Sequence, residues 1–116
     1  MDDALALLDY AYLTTTGRHT GAAHRIEIWF AAAPDHDVIY MLAGDGERAD
    51  WIRNLRADAR CTVEIGDRVF SGHARDPRDA DEERRARDIV YAKYAPTNGD
   101  LESWREDAVP IVIDVR

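Results

Sequence analysis

The stretch from Leu13 to Phe30, LTTTGRHTGAAHRIEIWF, leaves a chain like this few ways to fold. A β-branched run, Thr14, Thr15 and Thr16, favours extended backbone and stops at Gly17. A short basic turn, Arg18-His19-Thr20, is closed by Gly21. The chain then alternates strictly, with Ile26, Ile28 and Phe30 on one face and Arg25, Glu27 and Trp29 on the other. This pattern predicts strand, turn, strand. It excludes a P-loop or a dinucleotide fingerprint, both of which need a helix after the glycines. Glycine permits φ > 0 and close backbone approach, so such a turn can aim N–H groups at an anion. Arg18 and Arg25 add forked, charged donors suited to phosphate oxygens. The segment reads as one wall of a phosphate-bearing cofactor site, with a plain solvated hairpin as the alternative.

The remainder of the chain supplies the other walls. Asp2 to Leu8 predicts a short apolar helix, Tyr10 to Thr16 a first strand and Arg25 to Ala31 a second. Val38 to Ala43 is almost wholly apolar and predicts a central third strand. Asp45 is placed to cap a helix from about Glu47 to Ala57, in which Trp51, Ile52 and Leu55 share a face. Arg60–Ile65 and Arg68–Arg75 predict a hairpin through Gly66-Asp67, in type II′ geometry. Asp76-Pro77 predicts a helix start, charged at first and apolar from Ile89 to Tyr94, and broken at Pro96 and Thr97-Asn98-Gly99. Leu101 to Asp107 predicts a helical turn carrying Trp104, and Val109 to Val115 the last strand. Strands joined by hairpins argue against a parallel sheet. They predict a mainly β fold: a single-domain, six-stranded, mostly antiparallel barrel with peripheral helices. Ile26, Ile28, Phe30, Val63, Ile65 and Ile113 are expected to point inward.

Composition narrows the partners. The formal net charge is −8, with local basic character confined to Arg18–Arg25. A duplex-binding protein needs a basic face, so nucleic acid and anionic membrane are poor partners, while a small anionic ligand at a basic turn fits. No apolar run approaches the roughly 18 residues of a membrane span. The acidic start MDDALALLDY lacks the basic flank of a signal peptide, so a cytoplasmic location is the expectation.

Recognisable catalytic groupings are missing. His19, His24, His36 and His73 are scattered and Cys61 is the one cysteine, so no metal site is expected. Cys61 alternates with Val63 and Ile65 and reads as a small core residue. No GxSxG grouping occurs and no residue stands out as a nucleophile. A phosphate-binding turn without a nucleophile suggests a cofactor that carries the chemistry.

Three strings in combination, LTTTGRHTG, RIEIWF and AGDGERADWIRNLRADARCTVEIG, resemble the deazaflavin-dependent nitroreductase family. The resemblance runs from about Tyr12 to Val115. It implies a split β-barrel related to the FMN-binding pyridoxamine-phosphate oxidases, and coenzyme F420, a deazaflavin with a phosphate-containing tail. By that resemblance Arg18, His19 and Thr20 meet the tail phosphate with Arg25 close by, His19 standing where the family usually has a second basic residue. Glu27, Ile28 and Trp29 lie along the ring, where many relatives place a proline near the position of Glu27. Ala43 and Gly44 flank the ring, Trp51 and Asn54 close the pocket, and Tyr94 stands near the substrate as a proton donor. The implied activity is hydride transfer from reduced deazaflavin to an electron-poor small molecule, a quinone, enone or nitro compound. Two alternatives stay open: the same barrel holding FMN or haem, and a cofactor carrier without turnover. Trp29, a large aromatic on a polar strand face, makes a homodimer a further expectation.

Overall fold

The computed structural model describes residues 1–115. The threonine run forms β1 (Ala11–Thr16), with Ala11, Leu13 and Thr15 buried and alternate residues half-exposed. The turn is closed by hydrogen bonds from the Gly17 N–H to the Ala22 carbonyl at 2.7 Å and from the Gly21 N–H to the Gly17 carbonyl at 2.8 Å. Gly21 takes φ +76°, which a side chain would disfavour. The chain returns as β2 (Ala23–Ile28), continues after Trp29 and Phe30 as β3 (Ala31–Ala32), and turns into β4 (Val38–Ala43). A 3₁₀ turn (Gly46–Arg48) and α2 (Asp50–Ala57) follow α1 (Asp3–Ala6) as the second helical region. Next come β5 (Arg60–Ile65), β6 (Arg68–Arg75), α3 (Ala80–Asn98), α4 (Glu102–Asp107) and β7 (Val109–Val115).

The sheet order is β2-β1-β5-β6-β7-β4-β3, and every paired neighbour is antiparallel. Its two edges, β2 and β3, are consecutive in the chain and separated only by Trp29 and Phe30. One run of backbone therefore pairs with β1 in its first half and β4 in its second, which curls the sheet into a barrel. The expected second strand over Arg25–Ala31 is thus two strands, and the expected six become seven. The break has a local cause. The Phe30 N–H donates to the Tyr94 hydroxyl at 2.9 Å, and the Phe30 carbonyl accepts from the Lys93 ammonium at 2.8 Å. With its backbone groups taken by α3, Phe30 leaves the ladder.

Two apolar layers result. Inside the barrel lie Leu13, Phe30, Ile39, Met41, Val63, Ile65 and Ile113, with Ile26 and Ile28 half-buried against them. Outside, α3 lays Ala86, Val90 and Tyr94 onto Tyr40, Leu42 and Val112. β4 feeds both layers, which explains its unbroken apolar run.

Helix starts differ from the sequence reading. α2 begins at Asp50 because Ala49 is extended (φ −64°, ψ 135°), and Asp45 makes no capping bond. Asp79 caps α3, accepting the Glu82 N–H at 2.8 Å, whereas Asp76 accepts from Arg56 Nη1 at 2.7 Å. Nor does Pro96 break α3: the helix runs on to Asn98 and stops at Gly99, φ +79°. Pro96 takes one i→i−4 hydrogen bond, to the Ala92 carbonyl, out of the last turns, and the helix ends within three residues of it. At the Gly66-Asp67 turn only Gly66 has positive φ (59°), as a type II′ hairpin requires.

Arg75 clamps this outer layer, its guanidinium donating to Glu82 at 2.6 Å and to Asp114 at 2.9 Å. The hydrogen bond from Arg75 holds the Glu82 carboxyl at about 2, against an ordinary value of 4.5. A carboxyl depressed this way adds stability above its unfolded value and loses it as pH falls toward about 2. Glu82→Gln should cost about 1–3 kcal/mol at pH 7. It should also flatten the stability profile between pH 4.5 and 2, as thermal unfolding across that range will show.

Candidate functional site

At the break between β2 and β3, the barrel wall opens into a groove of about 490 Å³ lined by Tyr10, Glu27, Ile28, Trp29, Leu42, Leu101 and Trp104. Trp29 sits at the strand break. Its ring stacks on Tyr94, centroids 4.2 Å apart and planes 3° from parallel, and Trp104 meets it edge-on at 5.6 Å and 88°. Gly44, just past β4, faces this corner: a Cβ there would meet Trp104 Cδ1 at 3.5 Å, an ordinary van der Waals contact. The groove is therefore apolar and aromatic, with one carboxylate, Glu27, at its edge.

Tyr94 itself is buried at 3% exposure, and its hydroxyl is fully committed. It accepts the Phe30 N–H at 2.9 Å and stands 2.8 Å from the carbonyls of Phe30 and Asp9. A hydroxyl has one proton to donate, and here that proton faces backbone oxygens. Burial also pushes its pKa well above the usual tyrosine value. Against the expectation of a proton donor, the hydroxyl in this structure has no free proton to offer a substrate. Tyr94 is a positioning residue that holds the strand break and backs the Trp29 ring. Tyr94→Phe should lower stability by about 1–3 kcal/mol, the cost of an orphaned buried N–H, without changing the shape of any pH–rate profile. A pH profile that loses a limb while stability holds would restore the donor role.

The basic turn forms a second station at the far end of the hairpin. Arg18 donates from its backbone N–H and from Nη1 to Asn54 Oδ1, at 3.2 and 2.9 Å, and from Nη2 to Asp50 at 3.2 Å. Asn54, 2% exposed, also donates to Thr15 Oγ1 at 3.1 Å. This mid-helix asparagine thus ties α2 to the hairpin and aims Arg18. Trp51 is half-buried against the barrel core, while His19 and Thr20 are exposed at the tip. Arg25 lies between the stations, pairing with Glu64 at 2.9 Å with its guanidinium 4.0 Å from the Tyr12 ring centre. Tyr12 in turn donates to Glu27 at 2.8 Å, and this bond raises the Tyr12 pKa.

The site residues named from the sequence therefore fall into two groups. Glu27, Ile28 and Trp29 line the groove, with Gly44 beside it; Ala43 points into the barrel core instead. Arg18, His19, Thr20, Trp51 and Asn54 gather at the turn. From Ala23 to Ile28 the strand advances roughly 17 Å. A planar apolar slot at one end and charged donors at the other suit an elongated ligand with an aromatic head and an anionic tail, so the residues present fit a deazaflavin with a phosphate-bearing tail. Within the subunit Trp29 stacks on Tyr94 and meets Trp104 edge-on.

Four groove residues escaped the sequence reading, Tyr10, Leu42, Leu101 and Trp104. Only Trp104, the single aromatic of the polar helix ESWRED, carried a signal. Lys93 was also missed. Its ammonium donates to the carbonyls of Leu8 at 2.7 Å, Phe30 at 2.8 Å and Ala6 at 3.2 Å, and burial lowers its pKa to about 8. It pins the segment before β1 to the strand break. Cys61 is buried, and burial pushes its thiol up to about 11, the behaviour of an inert core residue. Among the described residues no helix is long and apolar enough to cross a membrane.

Residues 3–116 match the family model described as F420H(2)-dependent quinone reductase. Solved structures with the same fold include an F420-H2-dependent reductase, 21% identical over 93% of this chain and 94% of that one, with a TM-score of 0.71. An FAD-binding protein from Mesorhizobium loti is 18% identical over 97% of this chain and 84% of its own, at a TM-score of 0.65. A protein described as a candidate pyridoxamine 5′-phosphate oxidase from Listeria innocua is 16% identical over 97% of this chain and 86% of its own, at 0.64. At such identities the structures show the fold alone, a split barrel.

Proposed function

This chain belongs to the F420H(2)-dependent quinone reductase family, and from that premise we propose that it reduces quinones in the groove lined by Trp29 and Trp104. It is an oxidoreductase whose cofactor is coenzyme F420. When bound, the reduced deazaflavin supplies a hydride. Everything else is the work of the chain. Trp29 and Trp104 offer flat walls that orient planar partners, while Ile28, Leu42 and Leu101 keep water from the reacting faces. Arg18, with Arg25, His19 and Thr20, holds the anionic tail, and Asn54 keeps Arg18 aimed. Tyr94 fixes the Trp29 ring from behind. The proton that completes the hydroquinone comes from solvent at the groove mouth beside Tyr10, since the Tyr94 proton is committed to backbone.

The observation that carries this reading is the aromatic corner of Trp29, Tyr94 and Trp104 at the strand break, beside an otherwise apolar slot. A carrier without turnover draws support from one fact, the absence of an available buried proton donor in the groove. An acceptor panel separates the two: a quinone, an enone and a nitro compound, each mixed anaerobically with reduced F420 and catalytic amounts of protein. We expect many turnovers with the quinone and slower reduction of the other two. Tight F420 binding without turnover of any acceptor would leave the carrier.

A further inference from the structure

We infer that Glu27 selects acceptors by charge, admitting neutral and cationic quinones and opposing anionic ones; this rests on the quinone-reducing reading of the groove. Glu27 is the one ionisable acid among the groove-lining residues, which are otherwise aromatic or aliphatic apart from the Tyr10 and Trp104 polar tips. No basic side chain pairs with it among the described residues. Arg25, two positions away on the same strand face, is turned to Glu64 at 2.9 Å. The one side chain that Glu27 engages is Tyr12, whose hydroxyl donates to it at 2.8 Å. That bond fixes the carboxylate in place without cancelling its charge.

Glu27 is exposed, so its fixed negative charge acts across a largely aqueous path on whatever enters the open groove. Against a sulfonate some 7 Å away, at effective dielectric constants of about 40 to 80, the repulsion amounts to roughly three- to tenfold in entry. Flanking apolar walls focus the field and the acceptor cannot turn its charge fully away, so the effect persists at moderate salt and fades when the Debye length drops below about 5 Å. The chain's net charge of −8 acts in the same direction at long range, but it acts on every face alike. Selection at the groove itself falls to Glu27.

Glu27→Gln separates charge from structure, because the amide oxygen still accepts the Tyr12 hydroxyl. Three acceptors with one benzoquinone core serve as probes: the unsubstituted quinone, its sulfonate and its trimethylammonium derivative. Two readouts are taken at low ionic strength. One is kcat/KM with reduced F420. The other is quenching of tryptophan fluorescence by each probe in Trp51→Phe protein without cofactor, which leaves Trp29 and Trp104 as the reporters. The wild type should disfavour the sulfonate relative to the neutral quinone by roughly three- to tenfold in both readouts, and Glu27→Gln should remove most of that discrimination, leaving what the remaining net charge imposes. Glu27→Asp should retain most of the discrimination. Equal ratios in wild type and Glu27→Gln would overturn the inference. If the wild type turns over no quinone, the proposed activity fails, while the quenching ratios still decide the role of Glu27.

Discussion

Truncating Phe30 to alanine is expected to cost about 3–5 kcal/mol of folding stability, the usual price of emptying a large aromatic site in a packed core. The ring is fully buried in the barrel, and the Lys93 ammonium sits 3.7 Å from its centre. Its backbone, held by Tyr94 and Lys93, is where the two edges of the sheet meet. Both the core and the closure of the barrel therefore depend on one position. Against a typical domain stability of about 5–15 kcal/mol, the loss is a large fraction. Phe30→Leu keeps most of the volume and should cost under about 1.5 kcal/mol. Val69, 64% exposed, provides the contrast: Val69→Ala should stay within about 0.5 kcal/mol of wild type. Urea unfolding of the three variants checks the series. A Phe30→Ala loss below about 1 kcal/mol would mean that the core does not depend on the Phe30 ring.

The second large effect is on the ligand. Arg18→Ala should weaken F420 binding by roughly 10- to 150-fold, corresponding to loss of one charge-assisted hydrogen bond of about 1.5–3 kcal/mol. The guanidinium has five N–H donors. Nη1 and Nη2 each make one contact, to Asn54 and Asp50, which leaves donors for an anion and holds the group ready for it. Arg18→Lys should recover only part of the loss, since an ammonium cannot reproduce the fork. High salt should shrink the difference between Arg18→Ala and wild type. Fluorescence titration with oxidised F420, at low and high salt, reads both trends. Wild-type affinity in Arg18→Ala at low salt would remove the tail site from the turn.

Much of the barrel was legible because its strands obey period two. The alternation in Arg60–Ile65 and in the Ile26, Ile28, Phe30 face gave burial as well as direction, and Gly66 marked its hairpin. What was not legible depends on contacts distant in sequence. The split of the second strand follows from the Phe30 N–H meeting a hydroxyl 64 residues away. No local pattern encodes that bond. Capping was misread where several aspartates compete: Asp76 and Asp79 both suit an N-cap, and Arg56 draws Asp76 aside.

The site divided along the same line. Residues on one strand, Glu27, Ile28 and Trp29, could be placed from the alternation and the family resemblance together. Leu101 and Trp104 come from a short helix near the other end of the chain and join the groove only through tertiary packing. Asn54 was expected to face the cofactor, yet its polar atoms bind Arg18 and Thr15. Tyr94 was expected to donate a proton, but where its hydroxyl points depends on packing that no local pattern encodes, and the acceptors it reaches are backbone oxygens.

Anaerobic oxidation of reduced F420 by a neutral quinone, followed through the deazaflavin absorbance in wild type and Trp104→Ala, tests the central claim most directly. Trp104 walls the groove without entering the barrel core, so its removal should spare the fold while stripping the slot of an orienting face. The account predicts multiple turnovers by wild type and a fall in kcat/KM of roughly 10- to 100-fold in a folded Trp104→Ala, the loss of about 1.5–3 kcal/mol of aromatic contact. Undiminished turnover in folded Trp104→Ala would place the reaction elsewhere on the molecule, and a wild type that binds F420 yet oxidises none of it would contradict the account as a whole.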